Sequence, residues 1–185
     1  MKRVLWRYFV NYEKEENWLN GLAAKGLAMT DFFFGRYIFS DSEPGEYVYR
    51  IELLSNHIGH PESQKYIAFM EENGVELVAT WIRWVYFRRK AKDGAFDIYS
   101  DIDSRIAHYR RILLLFLPLL ALDVANGVNL TLLFVSQLLD TVPMFEGGLL
   151  FVAVLSFGVG AALAVLCGSL FKKVKRLGRE KLLRE

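Results

Sequence analysis

The sequence predicts an α+β protein: a ferredoxin-like β-α-β-β-α-β domain followed by a two-helix transmembrane hairpin. Three observations carry this expectation. From Ile112 to Phe171 there is no Lys or Arg, and the acids are Asp123, Asp140 and Glu146, whereas charge is dense on either side. The first hundred residues alternate short strand-like and helix-like stretches punctuated by Gly and Pro. A shift of 48 positions superposes two helix–strand halves of that region, Gly26 falling on Gly74.

Each element can be justified in order. "VLWRYFV" reads as a strand. "YEKEENWLNGLAAKG" has helical spacing at Trp18, Leu19 and Leu22, with glutamates early and Gly26 as its stop. "LAMTDFFFGRYIF", residues 27–39, reads as one aromatic-rich strand, "SDSEPGE" as a turn and "EYVYRIELL" as the next strand. "PESQKYIAFMEENG" opens on Pro61 and closes on Gly74, so it reads as a helix. "VELVATWIRWVYFRR" completes the order as the last strand. The repeat supports the duplication: Trp18-Leu19 falls on Tyr66-Ile67, Leu22 on Met70, Met29 on Leu77, Phe33 on Trp81 and Phe39 on Phe87. In a four-stranded sheet with helices on one face, strands 27–39 and 75–88 carry bulky residues on both parities. The open face is therefore expected to show aromatic surface, with Phe33, Tyr37, Trp81 and Trp84 as candidate interaction residues.

The expected division is 1–104 for this domain, 105–171 for the membrane hairpin and 172–185 for a basic tail. Residues 149–171 carry no charge and are long enough to cross a hydrocarbon core of about 30 Å. Residues 112–138 read as the other span despite Asp123, because a central Asp costs about 2.5–3.5 kcal/mol and each surrounding Leu, Ile, Phe or Val offsets about 0.3–0.6. Pro118 is expected in its first two turns. Arg105, Arg110 and Arg111 precede the spans and Lys172, Lys173, Lys175 and Arg176 follow them, while residues 140–148 hold no positive charge. This predicts two passes through the bacterial plasma membrane with both termini cytoplasmic. Residues 1–17 hold no apolar core of signal-peptide length, so no cleaved leader is expected.

Asp123, Asn126 and Asn129 are the intramembrane polar candidates. Ser156, Gly160, Ala164 and Gly168 stand four residues apart and predict a small-residue packing ridge. Mirroring the hairpin about residue 143 puts Asn126 near Gly160, Asn129 near Ser156 and Asp123 opposite residue 163. Packing and transport or sensing chemistry both remain open for Asp123.

Catalytic and cofactor motifs are not expected. His57 and His60 have an HxxH spacing without further ligands nearby, and read as a surface loop. The single cysteine, Cys167, lies in an apolar stretch. No glycine-rich phosphate loop, zinc motif or nucleophile elbow occurs. "EYVYRIELL" lacks the basic-Gly-aromatic pattern of an RNA-binding sheet, so no nucleic-acid partner is expected.

"EKEENWLNGLAAKGL", "PGEYVYRIELL", "YIAFMEENGVEL", "WVYFRRKAKDG" and "IYSDIDSRIAHYRRI" together resemble a bacterial membrane-protein family catalogued as domain of unknown function 2812. The resemblance covers roughly residues 3–111. It implies a role in a regulatory or envelope-response unit, beside a regulator similar to the PadR transcription factors, and supplies no catalytic residues. The resulting expectation is a sensory or regulatory accessory rather than an enzyme, without cofactor or metal. Its expected partners are membrane lipid and a protein or second copy of the chain, with a small ligand as a further candidate. A subunit of a transport or export complex using Asp123 is the alternative.

Overall fold

The computed structural model describes residues 2–99, 101–139 and 147–184, and these fall into two units, Met1–Asp101 and Ile102–Glu185. The first unit runs β1 (Arg3–Trp6), α1 (Tyr12–Ala23), β2 (Leu27–Phe33), β3 (Arg36–Asp41), β4 (Tyr47–Leu53), α2 (Pro61–Glu72), β5 (Glu76–Trp81) and β6 (Trp84–Lys90). The strands form two antiparallel three-stranded sheets, ordered β1-β3-β2 and β4-β6-β5. The α+β class is as expected, but the element order is β-α-β-β twice over. The single strands anticipated at 27–39 and 75–88 are each a hairpin, and no four-stranded sheet of ferredoxin-like order forms among the described residues.

The physical reason lies in two tight turns. Phe34 and Gly35 both have positive φ, as a two-residue hairpin that follows the right-handed strand twist requires. At the equivalent place Ile82 has φ 58°. A β-branched residue carries no turn signal in sequence, so that reversal was hidden inside an apolar run. The internal repeat is nonetheless visible in detail. Phe34 and Ile82, Gly26 and Gly74 share positive φ, and β-bulges occur at Met29/Asp31 and Leu77/Ala79. All these pairs stand 48 positions apart.

Helix α1 begins at Asn11, whose side chain accepts from the Glu13 and Lys14 amides. It buries Leu19 and Ala23 against Met29, Phe32, Tyr37 and Phe39 of the first sheet and Tyr49, Ile51, Ala79 and Tyr86 of the second. Helix α2 starts with Pro61 at its first turn, and His60 Nδ1 accepts from the Glu62 amide. It packs Ile67 and Met70 on Val85 and Phe87, a second core that Phe96 and Ile98 complete.

The second unit is a pair of helices, α3 (Ile102–Leu139) and α4 (Gly147–Arg184), each long and apolar enough to cross a membrane. At 38 residues each spans about 57 Å, well beyond a hydrocarbon core of about 30 Å. The expected spans are therefore the later part of α3 and the earlier part of α4: α3 takes in residues 102–111 ahead of its span, and the basic tail continues α4 as helix through Arg184. The boundary between the units falls after Asp101, three residues before the expected one. Pro118 consequently lies well inside α3, where its missing N–H leaves the Leu114 carbonyl without its helical partner. The anticipated turn at 140–148 lies largely outside the described residues.

Candidate functional site

The two faces of the β1-β3-β2 sheet differ. Across its strands Leu5, Tyr37 and Phe32 align on the inner side. Trp6, Arg36 and Phe33 align on the outer side, with Val4, Ile38 and Asp31 as the next row. Trp6 and Phe33 are 65% and 64% exposed, and Val4, Tyr8 and Phe34 are exposed beside them. Tyr8 meets Phe34 edge to face, and Phe34 touches Trp81. The second sheet has no comparable face, because α2 covers it.

This corrects the expected aromatic face. Phe33 is exposed, whereas Tyr37 is 1% exposed and Trp81 and Trp84 are half-buried. On one continuous strand Phe33 and Tyr37 share a parity; the hairpin between them puts Tyr37 opposite Phe32, on the inner side. Trp6 and Val4 were missed because a four-residue strand offers too little alternation to tell its faces apart.

Tyr37 is committed instead to a buried polar cluster. Glu15 of α1 is 7% exposed, and its Oε1 accepts from the Tyr37 hydroxyl at 2.6 Å and the Tyr86 hydroxyl at 2.7 Å. The Phe32 ring lies against both tyrosines, 4.7 Å from each centroid. Burial pushes the Glu15 carboxyl above its ordinary range, against the two hydroxyl donations that pull it down. Burial and the neighbouring Glu15 carboxylate hold both tyrosines above the ordinary phenol range, so they remain donors. One oxygen thus ties α1 to β3 and β6. In sequence Glu15 opens a run of three acids and amides, Glu15 to Asn17, and reads as helix-start charge; nothing there singles it out.

One turn along, α1 closes the free edge of β4. Asn20 donates to the Tyr49 carbonyl and accepts from the Tyr49 amide, while Glu16 Oε2 accepts from the Ile51 amide. Arg50 pairs with the other Glu16 oxygen at 3.2 Å. The match is geometric: four residues of helix rise about 6.0 Å and two of strand about 6.8 Å. Burial raises the Glu16 carboxyl too, countered by the Ile51 N–H and Arg50.

In the second unit Asp123 meets the small residues of α4. Ser156 Oγ donates to Asp123 Oδ1 at 3.1 Å and lies 3.2 Å from the Asp123 carbonyl, and a Cβ on Gly160 would stand 2.6 Å from Asp123 Oδ2. The carboxylate occupies the space that glycine leaves. The mirrored register is therefore three residues off: Asp123 takes the place expected for Asn126, and Asn126 and Asn129 are exposed. The packing stripe also departs from the expected ridge. Ala153, Ser156, Gly160, Leu163, Cys167 and Leu170 face α3, whereas Ala164 and Gly168 are exposed. Steps of four residues drift about 40° each round a helix, while alternating threes and fours keep facing a neighbour. The described α3 positions Leu113, Phe116, Leu120, Asp123, Gly127 and Leu130 show the same alternation.

His57 Nδ1 accepts from the Gly59 amide and His60 caps α2, so both serve local turns. Among the described residues no group of three His, Cys, Asp or Glu is placed to hold a metal. A family model described as protein of unknown function (DUF2812) matches residues 11–121. No curated protein and no solved structure matches the chain.

Proposed function

The chain belongs to the DUF2812 family, and we propose that it is a membrane-anchored regulatory accessory, not an enzyme, whose first unit recognises a protein partner through the outer face of the β1-β3-β2 sheet. The observation that carries this reading is the outer row Trp6, Arg36 and Phe33, in which the two aromatic rings are exposed on either side of a half-buried arginine. Large aromatic patches rimmed by polar residues on a soluble surface mark interaction sites. A regulator similar to the PadR family is the first partner to look for, and a small ligand the second. In this reading both ends of the chain lie on the cytoplasmic side of a bacterial plasma membrane, as the Lys and Arg flanking 112–171 favour.

A photoreactive residue at Phe33 in the full chain, irradiated in native membranes, tests this. The expected result is an adduct with one defined protein that disappears when Trp6 is changed to Ala. No adduct, or one indifferent to Trp6→Ala, overturns it. The alternative, a transport or export subunit using Asp123, needs that carboxylate to reach water or substrate. Its engagement by Ser156 favours a packing role. Under the accessory reading Asp123→Asn leaves partner recognition intact; under the transport reading it abolishes translocation while assembly persists.

A further inference from the structure

The register of α3 leaves a second stripe turned away from α4. Leu115, Leu119, Leu122, Asn126, Asn129 and Leu133 follow one another at alternating spacings of four and three, the period that keeps one side of a helix against a partner helix. Leu119, Leu122 and Leu133 are exposed, as are both asparagines. Among the described residues no hydrogen bond engages either amide.

Where α3 crosses a bilayer, Asn126 and Asn129 fall beside the midpoint of 112–138. Their side chains are too short to reach the interfaces, and hydrocarbon offers no hydrogen-bond partner. Among the described residues neither amide makes the bond to the carbonyl four residues back that Asn20 and Asn73 make on their own helices, so what satisfies them is a partner at their own depth. We propose that this partner is a second copy of the chain, packed along the same stripe about a two-fold axis normal to the membrane. Two copies inserted in the same orientation place equal residue numbers at equal depth, so Asn126 faces Asn126 and Asn129 faces Asn129. A carboxamide carries both donor and acceptor and is self-complementary, which suits it to such an isologous contact. Leucines on either side of the pair supply the packing, and the buried amides fix the register.

Cysteine crosslinking of the full chain in native membranes tests the proposal, in a Cys167→Ala background that removes the native thiol. Leu122→Cys and Leu133→Cys keep both amides and should give disulfide-linked dimers on oxidation. Val124→Cys and Val135→Cys, at matching depth on the other side and also exposed, should not. The double variant Asn126→Leu, Asn129→Leu makes α3 more apolar and so preserves insertion. Its dimer association constant, read by energy transfer on dilution in liposomes, should fall about tenfold. Absent dimers at 122 and 133, equal crosslinking at 124 and 135, capture of a different protein, or an unchanged association constant each overturns the proposal.

Discussion

Glu15 shows how a single side chain can organise a core without announcing itself in sequence. Its two tyrosine partners are more than twenty and seventy residues away, so only the fold reveals them. Two predictions follow from its setting. Glu15→Leu leaves two buried hydroxyls without an acceptor and should destabilise the first unit by about 2–5 kcal/mol, read from thermal or denaturant melts. Glu15→Gln keeps an oxygen where both hydroxyls point. Because the folded state raises the carboxyl's pKa, the stability that its protonated form provides is complete below the ordinary carboxylate range. It is lost as pH rises through the raised folded value. The Gln variant should lack that loss, so the melting temperatures of wild type and variant should separate with rising pH over this window. At Gly160 the conflict is steric: Gly160→Ala puts a Cβ on Asp123 Oδ2 and should cost the hairpin about 1–3 kcal/mol, with Asp123→Ala in the same chain relieving it. Detergent-resistance or steric-trap measurements would show it. Here the sequence was informative about residue types, since Asp123, Ser156 and Gly160 were all candidates. The pairing escaped it because the offset between two helices depends on shape at the contact.

Among the elements, helices were the more legible. α1 and α2 carry caps, apolar spacing and stop glycines within one local stretch, whereas the β2–β3 and β5–β6 reversals begin on Phe34 and Ile82, residue types that favour strands. Ile82 is 60% exposed at φ 58°, so it contributes little packing in return for an unfavourable backbone. Ile82→Gly should therefore raise stability by about 0.5–1 kcal/mol, visible as a higher melting temperature. The edge of β4 makes the opposite case. Asn20→Ala strips the Tyr49 N–H and C=O of their partners and should cost about 1–3 kcal/mol; it should also increase aggregation of the purified protein by opening a strand edge. The α4 stripe illustrates a subtler limit. Composition identified small residues correctly, but whether a helix meets its neighbour every four residues or every three and a half is decided by the pair.

For the whole molecule, the duplication and the division into a charged α+β part and an apolar hairpin were readable from repeat and charge pattern. The use to which each copy is put was not. α2 lies over the outer side of its own half's sheet, while α1 packs inward and serves the other half. That difference leaves the β1-β3-β2 sheet bare on one side. It predicts that Trp6→Ala with Phe33→Ala, two exposed positions, should change melting by no more than about 0.5 kcal/mol while abolishing partner capture.

The closure of β4 by α1 also sets an order of events during synthesis. Glu16 and Asn20 leave the ribosome some thirty residues ahead of Tyr49 and Ile51, a delay of about two to seven seconds at bacterial or slower elongation rates. In that interval the first half has a sheet and a helix whose polar row has nothing to bind, and its inner side lacks Tyr49, Ile51 and Tyr86. The nascent first half is thus an open, sticky intermediate until its sequel arrives. Pausing translation at the point where residues 41–47 have just emerged should lengthen its exposure, and chaperone occupancy measured on chains stalled there should be high and should drop once residue 90 has emerged.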